Sequence, residues 1–219
     1  MNVLVIGANG QIGKFLVQQL AQEGKHQVTA MIRKPEQADA LKQLGANVVI
    51  GDLEGSVDDL AEAMKDHNAI VFTAGSGGST GEDKTLLIDL DGAVKTMEAA
   101  QQQGITRYIL VSAFGADQRE KWSDAIKPYY VAKHYADRAL FASDLNYTII
   151  RPGGLKNEPG TGKISVGTDL KPGSIPREDV ARVIAASLQE EKTYRMAFDL
   201  IAGDDLVEDD LVEDALGKL

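Results

Sequence analysis

Seven residues near the start of the chain constrain its fold more than any other feature. Gly7-Ala8-Asn9-Gly10-Gln11-Ile12-Gly13 follows the apolar run 3–6 and opens a helical pattern in which Ile12, Leu16 and Leu20 share one face. Glycines at this spacing between a strand and a helix have separate physical roles. Gly7 permits the tight turn out of the strand, Gly10 lets backbone approach a pyrophosphate, and Gly13 lets the helix pack closely on the strand. The helix N-terminus then offers unpaired N–H groups and partial positive charge to phosphates. The segment predicts a dinucleotide site with contacts at Gly7, Asn9, Gly10, Gln11, Ile12 and Gly13. A glycine turn without a ligand is the alternative, and the strand before and helix after weigh against it.

Short runs rich in Val, Ile, Leu and Phe recur at 3–6, 27–32, 47–50, 69–73, 107–112 and 147–150, each reading as a buried strand. Longer amphipathic segments separate them, as with Leu60, Ala63 and Met64. Strands alternating with helices indicate a parallel sheet, because each crossover carries a helix across a face and returns to the same edge. The class is α/β: a doubly wound parallel Rossmann sheet with helices on both faces. At 219 residues the chain is within reach of a single core, so residues 1–219 are expected to form one domain. Residues 153–176, rich in Gly and Pro without periodicity, read as a long loop beside a substrate cleft. A helix from 176 to 188 and a strand at 196–201 follow, leaving little room for a separate substrate domain.

The formal charge of −10 disfavours nucleic acid as a partner, since phosphate attraction needs a basic surface. With no cysteine, disulfides, thiolate metal sites and cysteine nucleophiles are excluded. No apolar run has the length of a membrane helix, and the chain enters its first strand within a few residues, so a cytoplasmic, non-membrane protein is expected. Asp204-Asp205-Leu206-Val207-Glu208 is nearly repeated by Asp209-Asp210-Leu211-Val212-Glu213 and reads as a solvated helix or tail. His26, His67 and His134 are scattered, and no metal is assigned to them.

In an NAD site an acid about 20 residues beyond the glycines accepts the ribose 2′-hydroxyl. Here that place, at the end of the second strand, holds Arg33, followed by Lys34; Glu36 is the nearest acid. A guanidinium pairs bidentately with a 2′-phosphate and stacks on adenine, so NADP is expected, with NAD possible and a surface arginine the alternative. Asp52 and Leu53 end the third strand and are placed at the adenine. Ala74 and Gly75 end the fourth and are placed beside the cofactor.

Ser112 closes the fifth strand, and Tyr129-Tyr130-Val131-Ala132-Lys133 begins the next helix. Tyr129 and Lys133, four apart, share a face. Reduction of a carbonyl needs a proton for its oxygen, and a phenol with an ordinary pKa near 10 ionises more readily beside a cation. Tyr130 is the second choice for the acid. Lys121 and Trp122 lie in a segment expected to border the substrate cleft.

The segments GANGQIG, Gly51-Asp52-Leu53, the Ser112 strand end, YYVAK, TIIRPGGL from Thr148 and IPREDVA from Ile175 together resemble the short-chain dehydrogenase/reductase superfamily, in its small atypical, NmrA-like NAD(P)-binding (epimerase/dehydratase-like) members. The resemblance covers nearly the whole chain. It implies that Ser112 polarises a carbonyl, that Tyr129 is the acid/base, and that Lys133 binds ribose and lowers the tyrosine pKa. It also implies that Pro152 and Gly153 lie near the nicotinamide. The family's tetrad carries an asparagine where this sequence has Asp89. Three functions are expected from this reading. The first is an NADP(H)-dependent oxidoreductase or epimerase-like enzyme for a small carbonyl, sugar or quinone-like substrate; the others are a dinucleotide-binding redox sensor with little turnover and a flavin or quinone reductase. A homo-oligomer or a protein partner is compatible with each.

Overall fold

A computed structural model describes residues 1–78 and 80–206. The first half alternates β1 (Asn2–Ile6), α1 (Gln11–Glu23), β2 (Gln27–Ile32), α2 (Ala38–Gln43), β3 (Asn47–Ile50), α3 (Val57–Ala63) and β4 (Ala69–Phe72). A helical stretch follows, made of α4 (Glu82–Lys84), a π-helical segment over Thr85–Gly92 and α5 (Ala93–Gln102). Then come β5 (Arg107–Val111), α6 (Lys127–Phe141), β6 (Asn146–Pro152), β7 (Gly154–Lys156), β8 (Lys163–Gly167), β9 (Ser174–Pro176), α7 (Arg177–Ser187), β10 (Met196–Ala202) and β11 (Asp205–Leu206).

One sheet runs β11-β8-β10-β6-β5-β4-β1-β2-β3. From β10 to β3 every neighbouring pair is parallel. Strands covered on both faces need apolar residues at successive positions, not alternate ones, and β1 shows the result. Its Val3 and Val5 enter one core with Leu16, Leu20 and Ile184, while Leu4 and Ile6 enter the opposite core with Leu60, Met97 and Leu140. The chain leaves β3 at the sheet edge and returns to β4 on the other side of β1. At such a reversal the two crossovers diverge and open a crevice above the carboxyl ends of the strands.

The expected doubly wound α/β sheet is therefore present, with corrections in its second half. Residues 153–176 are not a structureless loop. β7 and β9 pair in parallel as a separate two-stranded sheet, and β8 joins the main sheet antiparallel to β10. These strands are three to five residues long, too short to print a period on the sequence. The sixth strand also runs on through Arg151 and Pro152. Of the acidic repeat, Asp205 and Leu206 form an edge strand against β8 in place of the expected helix or tail, and 207–213 lie outside the described residues. Among the described residues no helix is long and apolar enough to cross a membrane.

Candidate active site

The crevice is a cleft of about 890 Å³ above the carboxyl ends of the central strands. Gly10, Gln11, Ile12, Ala74, Gly75, Ser112, Tyr129, Lys133, Pro152 and Gly153 all line it, so most of the residues singled out in the sequence converge there. Gly7, Asn9, Gly13, Arg33, Asp52 and Leu53 do not line it.

Two of the glycines are explained by the fold alone. Gly7 has φ +84°, and a Cβ there would lie 2.5 Å from the Ala74 nitrogen; at Gly13 it would lie 2.4 Å from the Gly7 carbonyl oxygen. Both contacts are with backbone, which cannot give way. Gly10 differs. Its Cβ would meet the Gly7 oxygen alone, at 3.1 Å, and its own position is exposed at the cleft. The bareness of this residue keeps space for something outside the chain. Helix α1 begins there with no side-chain cap and no acid in its first turn, so its amide dipoles are left for an anion. A phosphate cradle fits these residues.

Arg33 stands exposed at the end of β2. Its backbone N–H and that of Lys34 both donate to Gln37 Oε1, at 3.1 Å, which fixes the turn. Among the described residues neither cation's side chain makes a hydrogen bond or ion pair. Asp52 is exposed, with its Oδ1 accepting from the Glu54 amide at 3.0 Å, and Leu53 is buried in the core with Met97.

Helix α6 carries the tyrosine and lysine singled out in the sequence. Pro128 starts it within the first turn, and Tyr129 and Lys133 follow one turn apart. Lys133 is 3% exposed. Its Nζ donates to the Val111 carbonyl at 3.2 Å, lies 3.3 Å from Asp89 Oδ1, and sits 5.7 Å from the centre of the Tyr129 ring. Asp89 comes from the π-helical segment, which packs on α6; its second oxygen accepts from the Ser76 amide at 2.9 Å. The position where the resemblance expects asparagine thus holds the buried counter-ion of the lysine.

Lys133 acts on Tyr129 in the expected direction, but burial outweighs it. Burial pushes the Tyr129 phenol up, the Lys133 ammonium pulls it down, and Asp89, Tyr130 and Asp137 push it up again, leaving its pKa raised above 10 instead of lowered. Burial pushes the Lys133 pKa down, but the nearby Tyr129 and Asp89 outweigh it and its pKa is raised. The lysine therefore holds its charge firmly, with part of that charge already answered by Asp89.

Ser112 follows β5 and is held by its amide, which donates to the Ile150 carbonyl at 2.8 Å. Its buried Oγ has no hydrogen-bond partner, and neither has the buried Oδ1 of Asp137 close by. Asp137 accepts at Oδ2 from Arg151 Nε at 2.9 Å, and Arg151 reaches Asp117 at 2.9 Å. Burial raises the Asp137 pKa against the opposing effects of Arg151 and Ser112. Sequence reasoning missed this ionic layer beneath Ser112. Tyr129, Lys133 and Asp137 continue one spacing of four, and that was the available signal.

Ala125, Ile126 and Pro128 of the segment before α6 line the cleft as expected, while Trp122 and Lys121 themselves do not. Trp122 stacks on Tyr130 at 5.9 Å and donates its Nε1–H to the Ala116 carbonyl at 3.2 Å, while Lys121 pairs with Asp169 at 3.3 Å. His134 Nδ1 lies 2.9 Å from the same Ala116 carbonyl.

The sequence profile of the NAD(P)H-binding family matches residues 7–191. The uncharacterised sugar epimerase YhfK of Bacillus subtilis is 58% identical over 204 residues, covering 93% of this chain and 95% of that protein. A solved structure of a candidate NAD-dependent epimerase/dehydratase from Bacillus halodurans superposes with a TM-score of 0.90 at 42% identity, covering 94% of this chain and 96% of that one. ChuY, an anaerobillin reductase from Escherichia coli O157:H7, superposes with a TM-score of 0.79 at 27% identity, covering 94% and 98%.

Proposed function

This chain belongs to the NAD(P)H-binding family, and we propose that it is an NADP(H)-dependent oxidoreductase or epimerase-like enzyme acting on a small carbonyl, sugar or quinone-like substrate. The observation that carries the reading is the placement of Tyr129 and Lys133 on one face of α6, opening into the cleft that also holds Gly10 at the start of α1. The relatives support the same range of chemistry, since their names include a sugar epimerase and a reductase.

In this reading the amides at the start of α1 bind pyrophosphate, and Arg33 with Lys34 binds a 2′-phosphate at the end of β2. NADPH, when bound, supplies hydride to the carbonyl carbon. Tyr129 delivers the proton to the carbonyl oxygen, and Ser112 donates a hydrogen bond to that oxygen as negative charge develops on it. Lys133 keeps its ammonium beside the phenol and ribose. Residues 1–219 serve as one unit, with 153–176 supplying the far wall of the cleft.

A redox sensor with little turnover is the second reading, favoured by the surroundings of Tyr129: burial makes it a weaker acid than free tyrosine, Lys133 pulls the other way, and the Asp89 carboxylate beside that lysine adds to the rise. NADPH oxidation measured with carbonyls, quinones and flavins separates the two. The enzyme reading expects turnover that Tyr129→Phe lowers by about 100-fold or more. Turnover untouched by that change would transfer the reading to a flavin or quinone reductase, and tight NADPH binding without turnover would leave the sensor. For the cofactor, Arg33→Ala should weaken NADPH about tenfold or more while sparing NADH. Equal losses would reject the 2′-phosphate contact.

A further inference from the structure

The far wall of the cleft contains a feature that neither the glycine turn nor Ser112, Tyr129 and Lys133 explain. The register of the β7–β9 ribbon pairs Lys156 with Pro176, so the next residues, Asn157 and Arg177, emerge side by side. Their side chains meet: Arg177 donates to Asn157 Oδ1 at 2.7 Å. A neutral amide therefore positions the guanidinium without neutralising it. The neighbouring acids are engaged elsewhere. Glu178 and Asp179 pair with Arg182 at 2.7 and 2.9 Å and accept from the amides of Gly160, Thr161 and Gly162, and Glu158 faces Lys156 at 3.6 Å. Among the described residues Arg177 has no acidic partner, and it lines the cleft.

Its location fixes what it can reach. Across the sheet the order β2-β1-β4-β5-β6 runs from Arg33, past the glycine turn, to Ser112 and Pro152. A dinucleotide with its 2′-phosphate at Arg33 and its pyrophosphate at the glycine turn would carry its nicotinamide toward β5 and β6; Arg177 follows β9, which pairs with the strand directly after β6, on that same side. The wall there is apolar: Leu155, Ile126 and Pro172 line it, the first two 38% and 47% exposed. The local charge also reverses. Residues 153–177 hold four cations and two acids in a chain with ten more acids than cations. Of those cations Arg177 is the one that lines the cleft, and since Lys133 is already paired with Asp89, the Arg177 guanidinium is the positive charge that an anion entering on this side meets.

We propose that Arg177, held by Asn157, is a substrate-binding residue that pairs with a carboxylate, so that the substrate is an organic acid with a largely apolar body. The inference rests on the reading of this cleft as a carbonyl- or quinone-reducing site. A planar guanidinium suits a carboxylate because two N–H groups can donate in parallel, which an ammonium cannot do.

The test measures equilibrium binding to the NADP⁺ complex by calorimetry, with benzoate, 2-naphthoate and 4-biphenylcarboxylate as probes and the matching carboxamides as neutral controls. At least one acid should bind about tenfold or more tightly than its amide, as expected for a charge-assisted pair. Arg177→Gln should erase the preference, Arg177→Lys should retain part of it, and NADPH affinity should stay unchanged in both. Acids and amides binding alike, no acid binding at all, a preference that survives Arg177→Gln, or a loss of NADPH binding would each overturn the proposal. NADPH oxidation with 4-carboxybenzaldehyde is followed in parallel. Absence of turnover on every acceptor, with the Arg177-dependent binding intact, counts against the reductase reading and not against the anion site.

Discussion

The two ends of strand β5 each carry a buried cation, and the two are satisfied in opposite ways. Arg107, its first residue, is 2% exposed and has no acidic partner among the described residues. Its nitrogens donate to the carbonyls of Leu188, Asn146 and Ser187 and to the hydroxyls of Thr148 and Thr193, at 2.6–3.2 Å. The guanidinium also lies 4.6 Å from the centre of the Tyr194 ring, and burial pushes its pKa down to about 10. Lys133 sits at the other end, against the last carbonyl of the strand, with one carboxylate partner and one face toward the cleft. An ammonium has three donors; the Val111 carbonyl accepts from one, and Asp89 stands 3.3 Å away as counter-ion. Arg107 ties β5, β6, the end of α7 and the turn before β10 together, with every one of its nitrogens engaged. Lys133 is left incomplete at the place where a ligand enters. The degree of satisfaction, more than the burial, separates a structural cation from a functional one.

The largest effect should come from Lys133→Met, which is expected to lower NADPH turnover by about 1000-fold through loss of the positioned cation. It also strands the buried Asp89 carboxylate, so thermal stability should fall. Adding Asp89→Asn should restore most of that stability and none of the turnover, as read by thermal melts beside steady-state rates. Recovery of turnover in the double variant would break the comparison.

Next comes Arg107→Met. Five neutral acceptors lose their donor, and denaturant unfolding should show a loss of about 3 kcal/mol. No single second substitution can repair it, because the lost partners belong to several elements. Turnover per folded molecule should remain within about twofold of the parent, as expected away from the reacting atoms. A large drop in that quantity would mean that Arg107 and Lys133 do not divide as argued.

The smallest effect sharpens the comparison on the Lys133 side. Reduction requires Tyr129 in its protonated form, and its pKa is raised, so the rate should hold through neutral pH and fall only above about 10. Asp89 is one cause of that rise. Asp89→Asn should therefore move the alkaline limb of the kcat profile to lower pH, and a limb that moves up or stays fixed would remove Asp89 from this role.

The part of the molecule legible in the sequence was the part built from repetition and turns. Gly7 and Gly13 carry steric signatures, the central strands are continuous apolar runs, and Tyr129 and Lys133 sit at helical spacing. Convergence of Gly10, Ser112, Tyr129 and Lys133 on one cleft follows from that periodicity with the sheet order. Less legible was everything that depends on pairing across the fold. β7, β8 and β9 are too short for a period. Arg151 and Asp137 look like ordinary surface charges until the sheet closes over them. Asp89 reads as a departure from a family pattern, and only its 3.3 Å approach to Lys133 shows it to be a counter-ion. Arg177 is one arginine among several until the β7–β9 register sets it beside Asn157.

The π-helical segment at Thr85–Gly92 bears on that counter-ion. An α-helix advances about 100° per residue, and a π-turn accommodates one residue more than an α-turn. The direction in which Asp89 points is therefore a matter of angular phase, set by how many residues are wound between α4 and Asp89. Inserting one further residue ahead of Asp89 with the winding unchanged would swing the carboxylate by about a quarter turn away from Lys133, whereas the loss of one is taken up by a return to ordinary α-winding. Insertions there act as a rotary adjustment of the electrostatics of the cleft.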